Sequence, residues 1–384
     1  MRKKSILFIT SNLGIGGVER ALVALSNSLC NSFEVSILVF DPSNNKLGEE
    51  LNKDITVTIV EPKYQFYCVA DKGHRDRITN SQRLFKLYLR LTEMLGIKKA
   101  FERIFFRSFK KLSFNYAVSY AGYPGPWDTV ARLCRAEHKY AYVHSNPYAL
   151  GIDKVAPYEY YAEFDKLVCV SQDIKRKLSE IEPRLCPKCV VEYNLIDRVR
   201  IDHLARGKSP YKENGLYKIV TVARLENNSK RFDRLVDTAS CMVKMGFMNF
   251  SWHIVGDGAD YNSIKELIDE RKLNGYLYME GFQTNPYNYI KNADLFVLTS
   301  DYEGLPVTMM EANYLGVPMV VTDFSCAGEI VYNGINGFIV EKNSTDIALK
   351  VISLMESKEL YTRIKSNIAS KKILGSNIET SLYE

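Results

Sequence analysis

Short apolar runs, each followed by a helical pattern, recur along this chain in two series, and that alternation limits the folds open to it. The first series is Ile6–Thr10, Val35–Phe40, Thr56–Val60, Tyr116–Tyr120, Tyr140–His144, Leu167–Val170 and Val190–Asn194. The second is Lys218–Val222, Ser251–Val255, Tyr276–Glu280, Leu295–Leu298, Pro318–Val321 and Phe338–Val340. Runs this short, bounded by turn residues, predict buried strands. Strands that alternate with helices predict an α/β protein with parallel sheets. Between Asp197 and Gly215 the periodicity breaks into polar, turn-rich sequence (ARGKSPYKENG), which reads as a link between domains. The expected division is residues 1–196, a linker at 197–215, a second domain at 216–365 and a tail at 366–384. The last helical pattern runs from about Asp346 to Lys372. A length of 384 residues suits two or three domains.

Apolar and charged fractions of 46% and 25% are those of a soluble globular protein. The amino-terminal MRKKSILFIT has too short an apolar segment for a signal peptide. No apolar run approaches the ~18 residues that span a bilayer, so a cytoplasmic location is expected. The eight cysteines are scattered, and Cys186 and Cys189 form a single C-x-x-C without a second ligand pair. A redox pair of this kind opens a helix, whereas Cys189 leads into a strand-like run. No metal site is expected.

The net charge of +6 is unevenly placed. Lys72 to Lys111 holds twelve Lys or Arg and three Asp or Glu, a balance of +9, so the remaining residues sum to −3. Leu84, Leu87, Tyr88, Leu91 and Leu95, then Phe101, Ile104, Phe105 and Phe109, fall at helical spacing with basic residues between them. A basic amphipathic pattern with an aromatic-rich apolar side suits an anionic membrane surface. The other account makes these segments core-packing helices with solvated basic faces. Nucleic acid is not an expected partner, because no binding motif accompanies the charge.

Four places carry chemistry. In Ser300–Gly316 (SDYEGLPVTMMEANYLG), Glu303 and Glu311 have seven residues between them. The segment follows an apolar strand, Gly304 loosens the turn, and Pro306 suits the first position of a helix. Free N–H groups at that helix start suit a phosphate, and ionised carboxylates accept hydrogen bonds from hydroxyls. After the first strand, SNLGIGGVER places Gly14, Gly16 and Gly17 before a helix, which lets a ligand approach the backbone. After the first strand of the second series, Arg224 and Lys230 can reach one dianion across their loop. His144 ends a strand, where open α/β sheets bind ligands.

Together these segments resemble the retaining, nucleotide-sugar-dependent glycosyltransferases of family 4, of the bacterial surface-polysaccharide type. Ser300–Gly316 resembles their E-x7-E signature, Gly16–Arg20 their GGxER element, and Arg224–Asp233 their R-L-x4-K-x-x-D element. The resemblance covers most of the chain in family order. It departs at Ser325-Cys326-Ala327, where a proline- or glycine-rich lead is usual. It implies a GT-B fold, two Rossmann-like domains with parallel sheets facing a cleft. It also implies a metal-independent hexosyltransferase with a UDP-sugar donor, ahead of a GDP-sugar, and a lipid-linked saccharide acceptor, as in capsule or lipopolysaccharide assembly. No cofactor is implied beyond the nucleotide sugar, which is a co-substrate. By the same resemblance Arg224 and Lys230 bind the pyrophosphate, Glu303 and His144 meet the transferred sugar, and Glu311 holds the ribose. Gly16 and Gly17 face the donor phosphate, Phe282 lies where the base is received, and Gly304 and Leu305 complete the donor site. A GT-B sugar-nucleotide epimerase and a catalytically silent GT-B subunit are the alternatives. Arg224, Lys230, Glu303 and Glu311 occurring together argue against silence.

Overall fold

The computed structural model describes residues 3–72, 79–122, 124–152, 157–370 and 382–383. It divides into two compact units: Met1–Asn194 with Ile378–Glu384, and Leu195–Asn377.

The first unit is built on a seven-stranded sheet: β1 (Lys4–Thr10), β2 (Phe33–Val39), β3 (Thr56–Ile59), β4 (Ser113–Ser119), β5 (Arg135–Val143), β6 (Lys166–Cys169) and β7 (Cys189–Val191). The order is β3-β2-β1-β4-β5-β6-β7, and every pairing is parallel. The second unit has six parallel strands: β8 (Tyr217–Val222), β9 (Phe250–Val255), β10 (Leu277–Gly281), β11 (Leu295–Leu298), β12 (Met319–Thr322) and β13 (Gly337–Val340). Their order is β10-β9-β8-β11-β12-β13. Each predicted strand is present, with ends shifted by a few residues. The second core gathers on one side of the sheet around Trp252, whose Nε1 donates to Thr221 Oγ1 at 3.0 Å.

Strand order reverses between β1 and β4 in the first unit and between β8 and β11 in the second. In open parallel sheets the loops leaving such a pair of strands part and open a crevice at their carboxyl ends. The glycine-rich turn follows β1, Arg224 and Lys230 follow β8, and Glu303 follows β11.

Four expectations are corrected. The 197–215 link contains a helix, Arg198–Leu204, capped by the Asp197 side chain, which accepts from the Arg200 N–H. The second unit accordingly begins at Leu195. Only Ile201 of that helix is buried, so its sequence carries no apolar stripe. The last helical pattern is two helices, Ser344–Glu356 and Lys358–Ser370, broken at Ser357. Pro306 precedes the helix Val307–Tyr314 rather than starting it.

The fourth correction concerns the basic segment, of which residues 73–78 lie outside the described residues. The helix Asn80–Met94 packs inward through Phe85, Leu89 and Thr92. Phe101, Phe105, Phe106 and Phe109 are not on an outer apolar face; they stack with Tyr64 and Tyr67. The leucines behave differently. Leu84, Leu87, Leu91, Met94 and Leu95 form one exposed stripe, with Leu84 at 70% and Met94 at 83% exposure. At 100° per residue, Arg83, Lys86 and Arg90 flank that stripe on the side away from the packed face. Among the described residues no helix is long and apolar enough to cross a membrane.

Candidate functional site

In the second unit, the loop after β8 and the loop after β11 are bound to each other. Thr299 Oγ1 donates to the main-chain carbonyls of Lys230 and Arg231 at 3.0 and 3.1 Å. The Asp301 N–H donates to the Ser229 carbonyl at 2.8 Å. Asp301 then takes one hydrogen bond on each carboxylate oxygen, from Arg231 Nη1 at 2.8 Å and Arg234 Nη2 at 2.6 Å. Burial raises the Asp301 carboxyl, but these bonds outweigh it and hold the group below its usual range. Arg231 stands in the left-handed region (φ 55°, ψ 56°), a strained place for a non-glycine residue. Its guanidinium is fastened to both Asp233 and Asp301, which offsets that strain.

The result is a fixed position for the residue before it. Lys230 Nζ donates to Glu303 Oε1 at 2.5 Å, and Ser300 Oγ donates to the same oxygen at 2.6 Å. The two side chains are 20% and 10% exposed, so the pair is half-withdrawn from water yet reachable. Arg224 lies open, paired with Glu226 at 3.1 Å. Exposed pairs of this kind contribute little and exchange easily for a better anion. Gly304 and Leu305 connect Glu303 to the helix Val307–Tyr314, whose first N–H groups face the same end of the sheet.

Glu311 is buried within that helix and accepts from the Tyr287 hydroxyl at 3.1 Å. Phe282 follows the end of β10, where Gly281 turns at φ +66°, and 37% of it is exposed. Lys230 and Glu303 are thus joined directly, Arg224 shares the loop without touching them, and Glu311 and Phe282 stand on separate elements. Sequence reasoning missed Arg231, Arg234, Asp301 and Tyr287.

In the first unit, Gly16 ends the turn in extended backbone and Gly17 opens the helix Gly17–Leu29. At Gly14 a Cβ would lie 2.1 Å from Asn44 Nδ2 and 2.7 Å from Asn12 Oδ1, so a larger residue would displace those side chains. His144 follows β5 and is 5% exposed. Its ring is stacked on Tyr142 (centroids 5.4 Å, 16°) and lies 4.5 Å from the Tyr120 ring. Neither ring nitrogen has a hydrogen-bond partner among the described residues. Burial lowers its pKa to about 3, so the ring is neutral near pH 7, with one nitrogen donating and one accepting. Two orphaned buried nitrogens are unfavourable, and a ligand hydroxyl would satisfy one of them.

Among the described residues no group of three or more His, Cys, Asp or Glu could hold a metal ion. Cys186 is exposed, Cys189 is buried, and both are free thiols.

Two parallel Rossmann-like units with these loop sites define a GT-B fold. The structure of Anabaena Alr3699/HepE in complex with UDP and glucose matches at a TM-score of 0.69 over 95% of this chain and 93% of that one. At 17% identity this likeness is one of fold. Residues 207–371, within the second unit, match the model of the glycosyl transferases group 1 family. Poly(glycerol-phosphate) alpha-glucosyltransferase of Bacillus subtilis (strain 168) is 31% identical over 149 residues, 38% of this chain and 22% of that protein. UDP-Gal:alpha-D-GlcNAc-diphosphoundecaprenol alpha-1,3-galactosyltransferase of Escherichia coli is 29% identical over 126 residues, 33% of each. The chain spans less than half the length of these curated relatives.

Proposed function

We propose that this chain is a retaining glycosyltransferase of cell-surface polysaccharide assembly. It takes a sugar from a UDP-sugar, with a GDP-sugar as second candidate, and delivers it to a lipid-linked saccharide. The observation that carries the reading is the Lys230–Glu303 pair at the switch point of a unit that matches the model of the group 1 glycosyl transferases. A cation held against a sugar-binding carboxylate marks the boundary between diphosphate and sugar. Names of relatives support the finer points. Both curated relatives are named as alpha-transferases, and one is named for UDP-Gal and a diphosphoundecaprenol-linked sugar. An alpha product from an alpha-linked UDP-sugar is a retained configuration.

In this reading, Arg224, Lys230 and the amides of the Val307 helix neutralise the departing nucleoside diphosphate, as preorganised donors do. Glu303 orients the sugar through its hydroxyls, and Glu311 holds the ribose. Phe282 lies beside the base, and Gly304 and Leu305 line the donor. Gly16 and Gly17 let the donor phosphate approach the backbone. His144 offers one of its two unpartnered nitrogens to a sugar hydroxyl. The sugar–phosphate bond breaks and the acceptor oxygen bonds to the anomeric carbon from the same face. The acceptor proton passes to the leaving phosphate oxygen. No metal enters, because the positive charge comes from the protein. The leucine stripe of Asn80–Met94 and its basic flank rest on the anionic inner face of the plasma membrane, where a lipid-linked acceptor lies.

A panel of UDP- and GDP-sugars incubated with a membrane extract tests this, with product mass, product anomer and released nucleotide as readouts. An alpha-linked glycolipid and free UDP are expected. Isomerised nucleotide sugar alone would instead establish an epimerase, and no turnover with any donor would favour a silent subunit.

A further inference from the structure

Strand β5 carries a run of ring-bearing residues at every second position: His138, Tyr140, Tyr142 and His144. Alternation in a strand places all four on one face of the sheet. Register adds Tyr116 of β4, paired with His138, to the same face, and Tyr120 follows in phase just beyond β4. Phe8 of β1 also belongs there, two residues along from Ile6, which pairs with Tyr116. A segment far along the sequence, Leu382–Tyr383, occupies this aromatic face. Tyr383 is 1% exposed, with its ring among Phe8, Phe33, Tyr116 and Tyr140 at centroid distances of 5.6 to 6.3 Å.

Three hydroxyls fasten it. Tyr116 donates to the Tyr383 carbonyl at 2.6 Å, and Tyr140 donates to the Leu382 carbonyl at 3.3 Å. The Tyr383 and Tyr142 hydroxyls lie 2.9 Å apart. Tyr142 is the ring on which His144 stacks, and Tyr120 closes the other side, 4.4 Å from Tyr142 and 5.7 Å from Phe8. Among the described residues His144 has no hydrogen bond to fix its orientation. Its ring packs against those two tyrosines, and one of them is held by Tyr383.

We propose that Tyr383 is a positioning residue that fixes the His144 ring through Tyr142, so that the Leu382–Tyr383 segment completes the site in the first unit. The inference rests on the reading that His144 meets the sugar. It adds that a residue 239 positions later in the sequence decides how His144 is presented. The two main-chain carbonyls are captured whatever the side chains are, whereas the ring and hydroxyl of Tyr383 are selected by the aromatic face.

The test uses the full chain with labelled histidine and reads imidazole resonances alongside transfer. Five histidines make the spectrum assignable, and His144→Gln identifies the signal. Tyr383→Phe keeps the packing and removes only the partner of the Tyr142 hydroxyl. Tyr383→Ala removes the plug. Both should move the His144 resonances, Ala more than Phe, and leave those of His203 and His253 in the second unit in place. In Tyr383→Ala, kcat should fall roughly 10-fold or more through lost orientation, with UDP affinity unchanged. An unmoved His144 signal in folded Tyr383→Ala overturns the proposal; if that variant does not fold, an unmoved signal in Tyr383→Phe does so. A moved signal with undiminished transfer upholds the positioning and removes His144 from the reaction.

Discussion

Lys230 Nζ and Glu303 Oε1 are 2.5 Å apart although 73 residues separate them in the chain. An ammonium has three donors, so Lys230 can keep Glu303 while turning two protons toward a diphosphate. Glu303 also accepts from Ser300, which leaves its second oxygen for a ligand hydroxyl. The pair is therefore assembled before any donor arrives, and the donor need not pull the two loops together.

Removing either cation should slow transfer. Lys230→Ala and Arg224→Ala are each expected to lower turnover by ~10²-fold or more, the scale of a lost transition-state donor. Lys230→Ala should also destabilise the second unit by about 1–3 kcal/mol, because Glu303 is left nearly buried without its cation. Arg224→Ala should not, since that side chain is half-exposed. Turnover and urea unfolding of both variants check this; wild-type turnover in both, with intact folding, refutes the cation role.

The two glutamates should separate by what they bind. Glu311→Gln is expected to weaken UDP binding, because one acceptor oxygen is replaced by a donor in a buried place beside Tyr287. Glu303→Gln should spare UDP and reduce transfer. Titration calorimetry with UDP and GDP decides it, and equal losses in the two variants contradict the division.

Excess EDTA should leave transfer intact. In the proposed function the diphosphate would meet Arg224, Lys230 and helix amides, and chelation would then remove nothing it needs. Loss of activity that magnesium or manganese restores would contradict this assignment and direct attention to carboxylate ligands.

Much of this was legible in the sequence, for physical reasons. Apart from the exposed edge strand Thr56–Ile59, the strands are short and apolar because they are buried within their sheets, so they stand out without alternation. The loop residues were legible because glycine, proline and charge at strand ends have few structural uses. What was not legible depends on long-range contact. Nothing near Asp301 announces that it clamps Arg231 and Arg234, and nothing near Tyr383 announces its place beside Tyr142. The helix Arg198–Leu204 was hidden because it buries one residue only. The phenylalanines of Lys98–Lys111 share a helical period with lipid-facing residues, and only packing distinguishes the two.

His144 should make the protein less stable as acid is added, well above the range of carboxylates. Its pKa is lowered from 6.5 to about 3 by burial, so between those values the unfolded chain binds a proton that the native state refuses. Stability is then lost as pH falls from 6.5 towards 3, by at most about 1.4 kcal/mol per pH unit from this group. Above pH 6.5 the group contributes no slope. His144→Phe should remove this part of the slope, as measured by urea unfolding at pH 7, 5.5 and 4.5. Parallel slopes in variant and wild type would show that the imidazole titrates normally when folded.

Membrane docking should depend on the leucine stripe and its basic flank, and not on the phenylalanines. Leu84, Leu87, Leu91, Met94 and Leu95 are each at least 48% exposed, whereas Phe106 and Phe109 are buried. An exposed apolar stripe beside Arg83, Lys86 and Arg90 matches a surface that is anionic above and hydrocarbon below. Each basic residue near such a surface contributes about 1 kcal/mol, and the buried leucines add hydrophobic transfer. Reversing Arg83, Lys86 and Arg90 to Glu should release the protein from anionic vesicles, and high salt should imitate that. Replacing Leu84, Leu87 and Leu91 by Ser should weaken binding in a salt-independent way. Transfer to a lipid-linked acceptor should fall in both sets, while slow hydrolysis of the donor continues. Cosedimentation with anionic and neutral vesicles separates this from a solvated cover: at low salt, a protein that binds neither leaves the stripe without a lipid role.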